Sequence, residues 1–295
     1  MDAFLGLLYV MLWASASVAS KYVRGDAAPL TALLMRFALA GVLLSLINYG
    51  LVRDNRLPRG VEWRHLVILA FCNSTGYLGL AWLAIPNISV GLFNLTVATG
   101  PFVVALLSRV WLGRQISGRE WLGMMISAIG LIVVVGPSLG TASVTPVAIA
   151  MVCLAVLINS TGSVYARKIQ LQLSPFVING WQLLFGAVML FPLATVLNNG
   201  TDVRPTWNLA LAVGWSALPV SIGAMAIWFT MVRKDALRAS TWLFLTPIAG
   251  YALAAILLGE PVHVWDAAGA ILVMAGLALS GTIDLRHHAA LPKKQ

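Results

Sequence analysis

Charge is what this sequence has least of: Asp, Glu, Lys and Arg make up 10% of its 295 residues, where a soluble domain carries about 25%. So sparse a supply cannot wet the surface of a globular chain. That excludes a soluble two-domain enzyme, a secreted disulfide scaffold and a disordered polypeptide. Cysteine is scarcer still: Cys72 and Cys153 both lie within apolar runs and offer no disulfide framework. Of the four histidines, His65, His263, His287 and His288, none stands deep in an apolar run, and no His-Glu-x-x-His or phosphate-cradling glycine loop occurs. All ten acids fall at the ends of apolar runs or between them. A membrane-embedded hydrolase or transferase would therefore lack a buried base or metal ligands. The chain is not read as an enzyme, and no cofactor is expected.

What is present is hydrophobic: 60% of the residues, with 11 Trp and 10 Met and a mean hydropathy of +0.89. Nearly uncharged runs fall at about 3–20, 28–51, 64–85, 89–110, 121–136, 145–165, 175–197, 208–231, 239–258 and 264–284. Most approach the roughly 20 residues a bilayer-spanning helix needs, the fifth being short. Backbone groups in hydrocarbon must be paired within the segment, so helices are predicted throughout. Ala14-Ser15-Ala16 imitates a signal-cleavage site, but Asp2 stands where a basic leader would begin, and the first run is read as a retained helix.

The net charge of +9 could suggest nucleic acid, but the basic residues are distributed by side rather than gathered in a patch. With a cytoplasmic N-terminus, one side holds Arg53, Arg56, Arg59, Arg64, Arg109, Arg114, Arg119, Arg167, Lys168, Arg233, Lys234, Arg238, Arg286, Lys293 and Lys294. The other holds Lys21, Arg24 and Arg204, and Arg36 lies inside the second run. A helix count wrong by one would move every later loop across and destroy this split. The distribution places ten helices in a cell (inner) membrane with both termini cytoplasmic. The expected partners are the lipid bilayer and a small-molecule substrate, with no nucleic acid; a monomer suffices.

The chain also repeats. At a constant offset of 146 residues, Gly100-Pro101 answers Thr246-Pro247, Leu112-Gly113 answers Leu258-Gly259, and Gly123 and Gly130 answer Gly269 and Gly276. Two five-helix halves, 1–137 and 145–285, precede a cytoplasmic tail, 286–295. Five is odd, so the second half enters the membrane from the opposite side. The fold expected is an all-α membrane protein of two inverted repeats, a plan secondary transporters use with the substrate site near the midplane.

Leu257-Leu258-Gly259-Glu260-Pro261 with Gly269 and Gly276, Leu12-Trp13-Ala14-Ser15, and Met35-Arg36-Phe37 together resemble the EamA-type members of the drug/metabolite transporter superfamily. The likeness runs over residues 3 to 284. It implies ten helices, export of small metabolites, amino acids among them, and a central cavity lined mainly by helices 1, 3, 4, 6, 8 and 9. Arg114 departs from the Leu-Gly-Glu pattern in the first half, so any role of that acid belongs to Glu260 alone.

Polar and aromatic residues recur at helical spacing. Tyr9, Trp13 and Ser17 share a face of helix 1; Asn73 and Tyr77 of helix 3; Asn159 and Ser163 of helix 6; Ser221, Met225 and Trp228 lie along helix 8; and Trp242 and Thr246 share a face of helix 9. A shared aqueous cavity would satisfy their amides and hydroxyls, while Ser and Thr also serve to glue packed helices. Arg36 either attracts a substrate carboxylate or bonds carbonyls at a broken helix. With no buried acid to pair it, the residues favour the second. Pro101 and Pro247 are expected to bend helices 4 and 9 and to act as hinges. The absence of a buried cationic cluster argues against sugar phosphates, and amide and aromatic walls suit neutral or zwitterionic solutes, amino acids first. Nucleosides or uncharged drugs are the alternative cargo. An embedded enzyme or a non-transporting sensor or scaffold are the alternative classes.

Overall fold

The computed structural model of the chain describes residues 2–51, 56–113, 115–138, 144–197, 203–234 and 242–279. The tail 286–295, and Arg53, Arg114 and Arg238 of the charge argument, lie outside them. Eight helices among the described residues are long and apolar enough to cross a membrane. They are α1 (Asp2–Tyr22), α2 (Pro29–Leu51), α3 (Glu62–Asn87) and α4 (Val90–Leu112), α5 (Gly118–Ser138), α6 (Pro146–Ile169), α7 (Pro175–Leu197) and α8 (Trp207–Met231). Two shorter apolar helices follow, α9 (Thr246–Leu258) and α10 (Val264–Leu279). The sequence places a helix in every one of these positions. The ninth apolar run, however, yields a helix of only 13 residues, because a short 3-10 turn at Leu243–Leu245 precedes it.

Helix boundaries follow local chemistry. Thr145 and Thr206 cap α6 and α8, their hydroxyls accepting from the Ala148 and Leu209 amides, which would otherwise lack partners. Pro29 and Pro146 begin α2 and α6, positions where the missing N–H is harmless. The repeated Leu-Gly pair has a backbone reason. Gly113 (φ 66°) and Gly259 (φ 65°) end α4 and α9 in the left-handed conformation, which side chains with a Cβ resist.

Three helices are wound irregularly. π-helical turns occupy Ile47–Leu51 of α2, Phe71–Gly76 of α3 and Ser216–Ala224 of α8. At the 146-residue offset the second and third of these coincide. Such turns leave backbone carbonyls without their usual partners and are concentrated at functional sites.

The two halves meet reciprocally. Ser127 on α5 donates to the carbonyl of Val273 on α10, its own counterpart, at 3.0 Å. A Cβ on Gly130 would strike the Gly269 carbonyl, and one on Gly276 would strike the Gly123 carbonyl. Each repeat thus offers the same pair of positions to the other, as a two-fold relation requires. α1 ends where α6 begins, since Ser20, Lys21 and Val144 line one recess; these two equivalent helices therefore run in opposite directions. Outward-facing side chains such as Val110, Val188, Ile256 and Ile271 remain mostly exposed, an apolar exterior that lipid tolerates better than water.

Candidate functional site

A cavity of about 470 Å³ lies between the helices, within the range that suits a small solute. Its walls come from α1 (Tyr9, Trp13), α2 (Arg36), α3 (Asn73, Tyr77), α6 (Asn159, Ser163), α7 (Asn179, Gln182) and α8 (Ser221, Met225, Trp228). It extends toward Pro175, Phe229 and Leu243, at the end of the molecule where α1 begins. Toward the opposite end it narrows to a gap of about 30 Å³ that shares Trp13, Arg36, Tyr77 and Leu78 with it and adds Ser17, Ile85, Phe93 and Asn94. Beyond the gap lies a recess of about 840 Å³ bordered by Lys21, Arg24, Asn87, Glu260 and Asp266. Cavity, constriction and recess lie in series along one axis.

One wall is aromatic. Tyr9 stacks on Trp13 at 6.1 Å and on Trp228 at 5.2 Å, with interplanar angles of 20° and 27°, a ladder of rings joining α1 to α8. The facing side is made of amides. Asn73 Nδ2 donates to Gln182 Oε1 at 2.9 Å, and Asn179 Nδ2 donates at 3.1 Å to the Ser221 carbonyl, within the π turn of α8. The Ser163 hydroxyl donates to the Asn159 carbonyl at 3.0 Å.

Arg36 stands at the junction of cavity and constriction, only 4% exposed. Its Nε donates to Ser221 Oγ at 3.0 Å, while Ser221 Oγ donates to the Ser216 carbonyl at the same distance. Nη1 has no hydrogen-bond partner, and no Asp or Glu is among the cavity's lining residues. A cation held at such depth costs about 2.5–3.5 kcal/mol on insertion scales. Its hydrogen-bond partner is a hydroxyl, which ties α2 to the π turn of α8.

The residues singled out by spacing fall into three groups. Trp13, Arg36, Asn73, Tyr77, Asn159, Ser163 and Trp228 converge on the cavity. Ser17 lines the constriction, its hydroxyl accepting from Asn94 Nδ2 at 3.0 Å and so joining α1 to α4. Trp242 and Thr246 line neither. Trp242 packs with Leu5, Val10 and their neighbours beside the ladder, and Thr246 is buried at the start of α9 with its hydroxyl unpartnered. Pro101 and Pro247 sit in the first turn of helical segments, Gly100–Leu112 and Thr246–Leu258, directly after a turn at Ala98–Thr99 and the 3-10 turn at Leu243–Leu245. They follow breaks in the chain and do not kink a helix interior.

The set of lining helices differs from the one the resemblance implies. α2 and α7 supply Arg36, Asn179 and Gln182, whereas α4 reaches only the constriction. Asn179 and Gln182 stand three apart on one face of an uncharged helix, the kind of signal that helix 6 also carries.

At the far end, three contacts join helix termini beside the recess. Lys21 Nζ pairs with Glu260 Oε1 at 2.5 Å, Glu260 Oε2 accepts from the Val90 amide at 2.9 Å, and the Tyr22 hydroxyl donates to the Leu257 carbonyl at 2.8 Å. The Glu260 carboxylate therefore holds the end of α1 and the first turn of α4 at once.

The EamA-like transporter family matches the chain twice, over residues 2–136 and 146–282. A Salmonella typhimurium protein named "probable amino-acid metabolite efflux pump" is 25% identical, covering 95% of this chain and 94% of its own length. A "probable terminal-alkyne amino-acid exporter" of Streptantibioticus cattleyicolor is 26% identical over 98% and 97%. An uncharacterized transporter of Archaeoglobus fulgidus is 24% identical over 92% and 95%. One solved crystal structure, 20% identical, covers 95% of this chain and 96% of its own with a TM-score of 0.67, a likeness of fold.

Proposed function

We propose, from the premise that the chain belongs to the EamA-like transporter family and is a multi-pass protein of the cell membrane, that it exports small neutral or zwitterionic metabolites, amino acids first. The observation that carries the reading is the cavity wall: stacked rings on one side and amides and hydroxyls on the other, with a single cation and no carboxylate among the described lining residues. Rings take apolar or aromatic side chains, and amides replace the water around a solute's polar groups. Relatives named as amino-acid exporters support the same cargo.

In this reading α9 and α10 also cross, giving ten helices in two inverted repeats, 1–137 and 145–285. Both termini are cytoplasmic, as the basic residues ask. The cavity then faces the cytoplasm and the recess beyond the constriction faces outward, an inward-open arrangement of an alternating-access cycle. Counterflow in proteoliposomes against amino-acid and nucleoside panels tests the cargo. Exchange of amino acids is expected, and exchange confined to nucleosides or phosphorylated compounds would refute it.

The breaks before Pro101 and Pro247 are the hinges of that cycle. Proline withholds the N–H that would bond Val97 or Leu243 four residues earlier and heal each break. Pro101→Ala with Pro247→Ala should let both helices run on, slowing counterflow about tenfold, a barrier increase of about 1.4 kcal/mol. Unchanged flux and unchanged crosslinking across both ends would rule the hinges out. Since a proton relay needs an ionisable group in the path and usually employs Asp, Glu or His, the cavity chemistry favours facilitated export. Imposing a pH gradient should leave flux unaltered.

A further inference from the structure

We infer that Arg36 is the anchor for a carboxylate on the transported solute. The inference rests on the export reading above and narrows its cargo to solutes bearing that group. Arg36 is almost wholly buried, yet it borders both the cavity and the constriction, so the solute must pass it. One edge is already committed, Nε to Ser221 Oγ at 3.0 Å, and that hydroxyl is itself fixed by the Ser216 carbonyl at 3.0 Å. The guanidinium is thereby held in place with Nη1 left without a partner. A structural arginine at this depth would be expected to satisfy its donors on carbonyls or an acid. This one does not.

The chemistry of the missing partner follows from charge and geometry. A lone guanidinium with no acid among the described lining residues favours a single negative charge, and a planar carboxylate matches its N–H groups. A phosphate dianion would leave one charge uncompensated and would call for a second cation, which the lining residues do not include. The Trp13–Tyr9–Trp228 ladder receives the remainder. The unpartnered donor and the aromatic wall together match a carboxylate that carries an apolar or aromatic side chain.

The experiment compares phenylalanine and leucine, each beside its carboxamide, in proteoliposome counterflow. The wild-type protein should exchange the acids at least tenfold better than the carboxamides. Arg36→Gln should bring that ratio close to one while carboxamide exchange continues. Equal exchange of acid and carboxamide by the wild type, or a preference that survives in Arg36→Gln, would overturn the anchor and leave the export reading standing. Exchange of none of the four compounds would sink both. If Arg36→Gln is not recovered as a monodisperse protein, Arg36→Lys carries the test. It retains the cation without the planar fork, so the preference should fall severalfold and stay above one; a full wild-type preference would count against the anchor.

Discussion

Glu260→Gln should expose the constriction to water from the recess side. In a background with Cys72 and Cys153 replaced by Ser, Ile85→Cys places a thiol in the constriction, where the native side chain is 2% exposed. A membrane-impermeant thiol reagent added from outside should label it slowly in the parent and at least tenfold faster in the Glu260→Gln variant. The reason is that one carboxylate makes two charge-assisted contacts, to Lys21 and to the Val90 amide. Such bonds are worth about 1.5–3 kcal/mol each when desolvated. The two side chains are 24% and 17% exposed, so a discounted total near 1.4 kcal/mol is used, which is tenfold. Lys21→Met should act in the same direction with a smaller effect, because Glu260 would still hold the α4 terminus. Equal labelling in parent and variant, or a larger effect from Lys21→Met, would show that the carboxylate is not the latch. At the 146-residue offset Lys21 and Glu260 correspond to Arg167 and Arg114, so the sequence supplies no acid for a matching ion pair in the other half.

How much of this was legible in the sequence depends on which physical signal each feature leaves. Asn73, Asn159, Ser163 and Trp228 were found because polar and aromatic groups inside uncharged helices stand out at helical spacing, and all four reach the cavity. Asn179 and Gln182 carry the same signal on α7, three apart on one face. The π turns left almost no trace. An extra residue in a turn changes which face a side chain occupies without changing hydropathy, and Pro219 within Ser216–Ala224 is the sole irregularity visible beforehand. That turn presents Ser221 to Arg36, so the anchor's geometry could not be read from spacing. The break at Ala98–Thr99 is signalled only by Pro101 just after it, since Ala, Thr and Gly continue an apolar run without interrupting it. Trp242 and Thr246 illustrate the converse error. They share a face by spacing, but the 3-10 turn between them alters the rotation on which the spacing depends.

The largest loss of stability should come from crowding the α5–α10 seam. Gly269→Leu is expected to yield no monodisperse protein, and Gly269→Ala a protein melting about 5 °C lower in detergent, from an overpacking cost of about 1–3 kcal/mol. A Cβ at Gly269 would fall on the Val134 side chain and on the Gly130 carbonyl, and a backbone carbonyl cannot turn aside as a flexible side chain can. Gly136 on α5 supplies the control, for a Cβ there meets open space. Gly136→Ala should leave the melting temperature unchanged or raise it, since alanine suits a helix better by up to about 1 kcal/mol. The contrast separates a packing role from the general effect of replacing glycine in a helix. Its functional consequence follows from the reciprocity of the seam. Gly276 meets Gly123 as Gly130 meets Gly269, so crowding one contact must spread the pair unevenly, against a two-fold relation that both repeats share. Small residues at these four positions let the helices approach backbone to backbone, where lipid offers no hydrophobic force to draw them together. A Gly269→Ala protein that melts with the parent would mean that the seam yields at little cost, and that something other than backbone approach holds the two halves in register.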